Sequence, residues 1–411
     1  MIKEKRYGNF SIIVIVVFAI TGFLYSFRLP AWIGSDEPFH YYYVDIIARE
    51  QRLPTAEETY ESAHPPGYYS VAALVSLPFL DKEPETRDRL LRLFSVLMGM
   101  TTLFFLYLIG AKGLDSPALG MGLVVFAYAN PAFVITQSLL GNDPAVVMAV
   151  TVTFYYMLKL TGEGGGPGRT ALCGLLAGLS CLVKITASFL PVFFVVLYFF
   201  HPSVKQRGIK AMVMDLFVFA FVFAATCGWW YVRNYLMSSN AAFFDPKFVE
   251  ERTLSMLPGE FPWFLKSVML NFWLPSDYIR GFPREVPGLL KHIYLGLSAV
   301  AGALLASALF LVREKTPGRI KHIMNCFAFC MALFLLQQAF LNTKHKTAQA
   351  RYMYPMICAA AAPVVFTVKR ISDKYRLYDK LLVTAFIVSI IHHALWLFRL
   401  IVNIPVMNFN I

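Results

Sequence analysis

Apolar residues in this chain run in blocks too long for a water-soluble core, and the blocks recur from one end of the sequence to the other. A helix needs ~17–25 predominantly apolar residues to cross the ~30 Å hydrocarbon layer of a bilayer. Such stretches occupy 9–30, 90–111, 118–138, 144–160, 211–232, 289–312, 322–341, 351–368 and 380–402, and two shorter ones, 170–184 and 185–201, flank Lys184. Backbone polar groups in hydrocarbon must be satisfied within their own segment. The sequence therefore predicts an all-α polytopic membrane protein with about eleven transmembrane helices. Only 15% of the residues are charged, whereas a soluble domain carries ~25%. A soluble enzyme, a DNA-binding domain and a disordered adaptor are excluded. The first block is long and lacks a small-x-small exit, so it is read as a span and not as a cleavable leader.

The net charge of +12 invites a nucleic-acid reading, but in membrane proteins Lys and Arg collect in cytoplasmic loops and fix orientation. If the apolar segment 65–80 lies along the interface, Lys3, Lys5, Arg6 and the basic clusters at 205–210, 313–321 and 369–380 all fall on one side. Nearly all the net charge then sits there. Making 65–80 a span would scatter it, so the sequence predicts a cytoplasmic N-terminus, a multi-pass protein of the cytoplasmic membrane, and no nucleic-acid partner. Six cysteines lie in apolar stretches without a CxxC spacing and are read as buried, reduced packing residues. Gly164–Gly168 is a flexible inner linker, since no phosphate-loop Lys-Ser/Thr accompanies it. No soluble domain and no fixed-period repeat is visible, so 1–411 is treated as one transmembrane domain, without a soluble C-terminal domain. Its two long outer loops are 31–89 and 233–288.

The first outer loop begins with WIGSDEPFHYYYVDIIARE at 32–50. Ser35 or Asp36 can cap a helix whose first turn holds Pro38. Phe39, Tyr42, Tyr43, Ile46 and Ile47 repeat at helical spacing, with Asp45, Arg49 and Glu50 opposite. This predicts an interfacial helix. Asp36 and Glu37 then stand at a helix start, where negative charge is favoured and a carboxylate stays ionised as a general base requires. The competing reading is a simple cap beside a solvated glutamate. His40 lies one turn on. His64-Pro65-Pro66-Gly67-Tyr68-Tyr69 opens a second interfacial segment, with His64 and the tyrosines Tyr68 and Tyr69 offering polar tips at membrane depth; a plain re-entry turn is its alternative.

Other polar residues gather at outer span ends. Asn142 and Asp143 lie in Gly141-Asn142-Asp143-Pro144, where Asp143 is either a cap or a second carboxylate facing Asp36. Lys184 sits where two short spans meet, with no acid nearby in sequence. A lipid phosphate is its natural partner, and snorkelling is the alternative. Arg233 follows an aromatic belt, and Arg351-Tyr352 opens a later span, preceded by Lys344, His345 and Lys346. Positive charge on the outer side opposes the orientation rule and points to anion binding.

Carboxylates that deprotonate an acceptor, together with cations that hold an anionic leaving group, suit an enzyme acting on a phosphate-linked membrane lipid. The ordered series SDEPFHYYYVDIIARE, AHPPGYYSVAAL, GNDPAV, GLLAGLSCLVKITASFLP, GWWYVRNYL and ARYMYPM resembles the GT-C membrane glycosyltransferases. The resemblance is specifically to the protein O-mannosyltransferase and lipid A aminoarabinose transferase superfamily, over roughly residues 10–360. The resemblance implies a GT-C fold and transfer of a sugar from a polyprenyl-phosphate donor to a lipid, glycan or protein acceptor at the outer membrane face. It matches Asp36 to the catalytic base, Glu37 to a neighbour that orients the acceptor or an arginine, and Asp143 to a second acidic position. It matches Lys184 and Arg351 to contacts for the lipid-linked phosphate. His64 stands where many relatives carry lysine. His40, His64, Tyr68, Asn142, Arg233 and Tyr352 complete the expected substrate-binding set. Lys and Arg suffice for a monophosphate leaving group, so no metal ligand is assigned, although a divalent metal is compatible with the carboxylates. A transporter would show repeats and matched helix breaks in two halves, which are not found. A non-catalytic lipid-sugar binding protein of the same fold remains the other alternative.

Overall fold

A computed structural model describes residues 2–55, 57–238, 261–274, 279, 288–311, 317–345 and 350–403. Most of the second long loop, and the side chains of Lys344, His345 and Lys346, lie outside the described residues.

Among the described residues the chain is helical throughout, apart from one isolated bridge that pairs Gly34 with Ile279. Among the described residues seven helices are long and apolar enough to span a membrane: Glu4–Arg28, Pro84–Gly113, Asn142–Gly162, Ile209–Leu236, Gly318–Gln337, Arg351–Asp373 and Tyr378–Val402. Four shorter apolar helices accompany them, at Gly67–Phe79, Pro117–Tyr128, Pro167–Val183 and Ile185–Phe200. Helix Gly288–Leu311 occupies the predicted 289–312 span. The protein is thus a multi-pass helical membrane protein.

The first long helix, α1 (Ile2–Arg28), is followed by α2 (Glu37–Glu50), α3 (Gly67–Ser76) and α4 (Pro84–Leu108). At 1.5 Å rise per residue α3 is only ~15 Å long, shorter than the ~30 Å hydrocarbon layer. The predicted 118–138 span is not one helix. It divides into α5 (Pro117–Tyr128) and α6 (Pro131–Thr136). Pro131 lacks an amide donor and pushes Asn130 out of the helical region; the Asn130 side chain then caps α6 by accepting from Phe133 N at 2.9 Å. After α7 (Asn142–Gly162) and α8 (Pro167–Val183), Lys184 adopts an extended conformation that breaks the helix, and α9 (Leu190–Phe200) runs back.

The apolar interior is built from α1, α4, α5, α7, α8 and α9, with Val14, Phe18, Leu103, Val124, Phe154 and Phe193 among its buried side chains. A smaller cluster under the first loop contains Trp32, Tyr41, Tyr43, Tyr69 and Leu91. It corrects the expected orientation of α2. The inward face is His40, Tyr41, Tyr43, Val44 and Ala48, while Phe39 and Tyr42 point outward. The inner face packs on α3 and α4; the outer aromatic pair is left to the interface. All six cysteines are buried and free.

Candidate active site

Asp36 stands at the N-cap position of α2, yet its side chain makes no capping bond. Its carboxylate accepts from Ser35 Oγ at 3.0 Å through Oδ1 and is paired through Oδ2 with Arg351 Nη2. Arg351 Nη1 lies 3.5 Å from Asp143 Oδ2, and Asp143 Oδ1 takes Lys184 Nζ at 2.5 Å. Lys184 also donates to Asn142 Oδ1 at 3.0 Å. The ring of Tyr352 lies close to both cations, 5.1 Å from Lys184 Nζ and 5.3 Å from Arg351 Cζ. Residues 36, 143, 184 and 351, distant in sequence, therefore meet at one end of the bundle. Asp143 there begins α7 and Lys184 ends α8.

Gly67 helps set that meeting. A Cβ at this position would come within 2.6 Å of the Leu182 carbonyl, so the start of α3 touches the backbone two residues before Lys184. A cleft opens beside these charges, lined by Gly34, Asp36, His40, Leu140, Asp143 and Arg351, among others. Burial works to raise the Asp36 carboxyl, and the Arg351 guanidinium outweighs it, holding the group below its ordinary value. Asp36 is ionised at neutral pH and faces the cleft.

Glu37 also lines the cleft and is itself buried. It accepts from Arg92 Nε at 2.9 Å and Nη2 at 2.7 Å, from Gly34 N at 2.8 Å and from Leu140 N at 2.9 Å. Arg92 also reaches Asp88 Oδ2 at 3.0 Å and the Pro30 carbonyl at 2.9 Å. One carboxylate thereby ties together the turn before Asp36, the turn before Asp143 and α4. Arg92 and Asp88 escaped the sequence reading, though an arginine and an aspartate one turn apart at a span start were a signal, because charges there need partners.

A second polar group adjoins the first. His40 Nδ1 lies 2.8 Å from Tyr69 Oη, which donates to Glu61 Oε2 at 3.3 Å and accepts from Asn142 Nδ2 at 3.3 Å. His64 Nε2 is 2.9 Å from Glu61 Oε2. Burial pushes the His40 imidazole below its ordinary value despite the pull of Glu61 and Asp36. For Glu61 burial acts upward, and the flanking imidazoles hold it well below the usual carboxylate range. Glu61 was not singled out from sequence; its place three residues before His64 was the available hint. Asp36, His40 and Glu61 bring one ligand atom each to within 4.8 Å of one another.

The expected set is therefore only partly assembled. Asp36, Asp143, Asn142, Lys184, Arg351, Tyr352 and His40 converge. His64 joins through Glu61. Tyr68 is buried in the first-loop cluster. Arg233 donates to Asn234 Oδ1 at 3.1 Å and lies over the Trp230 ring at 5.1 Å. Lys184, expected to await a lipid phosphate, has carboxylate and amide partners within the protein.

Residues 63–231 match the family model for dolichyl-phosphate-mannose-protein mannosyltransferase. A search of curated proteins found no match. Among solved structures, the oligosaccharyltransferase AglB of Archaeoglobus fulgidus, in complex with an inhibitory peptide and a dolichol-phosphate, is similar with a TM-score of 0.56 and 11% identity; the match covers 94% of this chain and 55% of that one. The apo form of the A. fulgidus oligosaccharyltransferase gives 0.57 at 11% identity, covering 95% and 55%. This chain spans about half the length of those enzymes. ArnT of Cupriavidus metallidurans, bound to undecaprenyl phosphate, gives 0.45 at 14% identity, covering 89% and 79%.

Proposed function

Because the chain has the fold of the GT-C membrane glycosyltransferases, we propose that it transfers a sugar from a polyprenyl-phosphate donor to an acceptor hydroxyl or amine. The acceptor belongs to a lipid, a glycan or a protein. The observation that carries this reading is the joining, at one end of the bundle, of a cleft-facing carboxylate, Asp36, with two buried cations, Arg351 and Lys184. A base and a phosphate clamp are what such a reaction needs in one place.

In the proposed step Asp36 aligns the acceptor and takes its proton as the acceptor attacks the anomeric carbon. The bond between that carbon and the phosphate oxygen breaks with inversion, and the polyprenyl phosphate leaves with the electron pair. Arg351 and Lys184 hold the phosphate, and the Tyr352 ring flanks both. Asp143 keeps both cations in place. Glu37, turned towards Arg92, fixes the position of Asp36 and does no chemistry. Arg233 bounds the site from outside the cluster. General-base assistance of this kind contributes roughly 10²–10⁴ in rate.

The site faces outward from the cytoplasmic membrane. Support comes from Lys205, Arg207, Lys210, Lys369, Arg370 and Lys374, which flank the opposite ends of the spanning helices, the side on which basic residues accumulate. The test is transfer in proteoliposomes holding the full chain and a panel of polyprenyl-phosphate sugars, with the anomeric configuration of the product determined. Transfer with inversion supports the reading. Hydrolysis alone, retention of configuration, or transfer no faster than in empty vesicles refutes it.

A further inference from the structure

We propose that His201, Lys205 and Arg319 form a binding site for a phosphate group at the end of the bundle opposite the active site, at a depth that suits the headgroup of an anionic phospholipid. The inference goes beyond the transferase reading and does not rest on it.

The three residues meet where two apolar helices end. His201 follows the helix Ile185–Phe200, and Arg319 stands second in the helix Gly318–Gln337. Arg319 and His322, three residues apart, share a helical face, and the His322 ring meets the His201 ring at 5.6 Å between centroids. His322 Nε2 donates to the Leu197 carbonyl at 2.9 Å, which ties the two helices together. Lys205 lies one turn after His201, its N bonded to the His201 carbonyl at 3.2 Å. A Cβ on Gly162, the last residue of α7, would come within 2.6 Å of Arg319 Nη2. Asp143 is in the first turn of that 21-residue helix, so its two ends are ~30 Å apart. The phosphate clamp proposed beside Asp36 is a different place.

Donors at this spot lack acceptors. His201 Nδ1 accepts from Ser203 N at 3.3 Å, so the ring proton sits on Nε2. That nitrogen is buried without a partner among the described residues, and His201 is only 1% exposed. Arg319 Nη1 donates to Asp115 Oδ2 at 3.1 Å, while its Nε–H is buried with no acceptor. Buried donors are nearly always paired, and leaving one unmet is costly. A phosphate offers several acceptor oxygens and matches the guanidinium fork.

Charge points the same way. Lys205 pairs with no carboxylate among the described residues; its ammonium lies over the Phe200 ring at 5.6 Å. Other acids at this end are engaged, Asp215 by Tyr198 and Arg207 and Glu163 by Arg169 at 2.9 Å. Burial, and then the neighbouring His322 and Arg319, push the His201 imidazole down to about 4. At the active site, by contrast, Asp36 and Asp143 match Arg351 and Lys184 within the protein. An anion from outside the chain is what the His201 cluster lacks. Lys205 is exposed and the Arg319 side chain is 30% exposed, so such an anion reaches His201 past them. Basic pockets between the ends of spanning helices hold anionic lipid headgroups in this way.

The experiment uses the full chain in detergent, stripped of lipid. Native mass spectrometry measures retention of added phosphatidylglycerol and phosphatidylcholine, and thermal melts compare phosphatidylglycerol with inorganic phosphate. One phosphatidylglycerol per chain is expected, held about tenfold tighter than phosphatidylcholine. Arg319→Gln should weaken it roughly ten- to hundredfold. His201→Asn, which keeps the capping acceptor, should weaken it about tenfold, and Lys205→Gln about fivefold. Lys374→Gln, at an exposed lysine outside the cluster, should leave it unchanged. Melts without lipid separate a lost site from a lost fold; if Arg319→Gln melts early, Arg319→Lys keeps the charge, removes the Nε donor and should still weaken binding. Equal retention of the two lipids, or equal losses in Lys374→Gln and the Arg319 variant, overturns the site. Inorganic phosphate that raises the melting temperature as far as the lipid does, and only with Arg319 present, overturns the lipid as its source and supports the phosphate site. Sugar transfer is not read, so failure of the transferase and failure of this site are distinguishable.

Discussion

Replacing Arg92 should cost more than replacing the glutamate it holds. Arg92 lies between two buried carboxylates, with Glu37 at 2.7 and 2.9 Å and Asp88 at 3.0 Å, and all three side chains are at most 2% exposed. Solvent screening does not soften these interactions. Arg92→Met leaves two carboxylates without a cation, and breaking a buried pair in this way costs about 3–5 kcal/mol. Glu37→Gln leaves Arg92 matched to Asp88. It forfeits the charge-assisted part of its hydrogen bonds, about 1.5–3 kcal/mol. The double variant should be more stable than the sum of the two costs predicts, because removing both partners strands fewer charges. The assay is apparent melting temperature in detergent, followed by monodisperse elution after heating, for the wild type and the three variants. The expected order is wild type, Glu37→Gln, Arg92→Met, with the double variant showing a positive coupling of more than about 0.5 kcal/mol. Arg92→Met matching Glu37→Gln, or strict additivity, would refute the clamp.

Three further outcomes are expected. Gly67→Ala, whose Cβ would sit 2.6 Å from the Leu182 carbonyl, should lower the melting temperature and displace Lys184, whereas Gly168→Ala, with nothing within 4 Å, should be neutral; circular dichroism melts decide. Lys184→Ala should raise the dissociation constant for a polyprenyl-phosphate donor more than it slows transfer of bound donor, read by equilibrium binding and single-turnover rates; unchanged donor affinity would remove the phosphate role. Burial depresses the His40 imidazole below its ordinary 6.5, so the stability it contributes is complete above that pH and lost as pH falls through the folded value. In EDTA, the wild type should lose more stability than His40→Gln on acidification below about pH 6.5, measured by melts across pH.

The helices were legible because hydrocarbon imposes a simple length rule on apolar sequence. The departures came from local chemistry. Asn130-Pro131 broke a block that hydropathy alone made continuous, since hydropathy does not see a missing amide donor. In α2 the apolar residues lie all around the helix, and periodicity does not say which side meets α3 and α4; the buried tyrosines Tyr41 and Tyr43 chose it. Asp36, Asp143, Lys184 and Arg351 were legible singly, as charges at span ends, while their pairing was not. Lys184 and Asp143 are joined across α7 and α8, and the sequence shows no acid beside the lysine. Glu37 was expected to orient the acceptor or an arginine, and its carboxylate holds Arg92; which arginine was not legible, because it lies 55 residues away in sequence. Glu61 became visible only when α3 folded back beside α2.

The most direct test of Asp36 as base is the single-turnover rate of transfer from a bound polyprenyl-phosphate sugar in proteoliposomes, comparing wild type with Asp36→Asn. Asparagine preserves the shape and cannot accept the proton, so a fall of roughly 10²–10⁴ at unchanged donor affinity is predicted. Equal rates in the two proteins would contradict it.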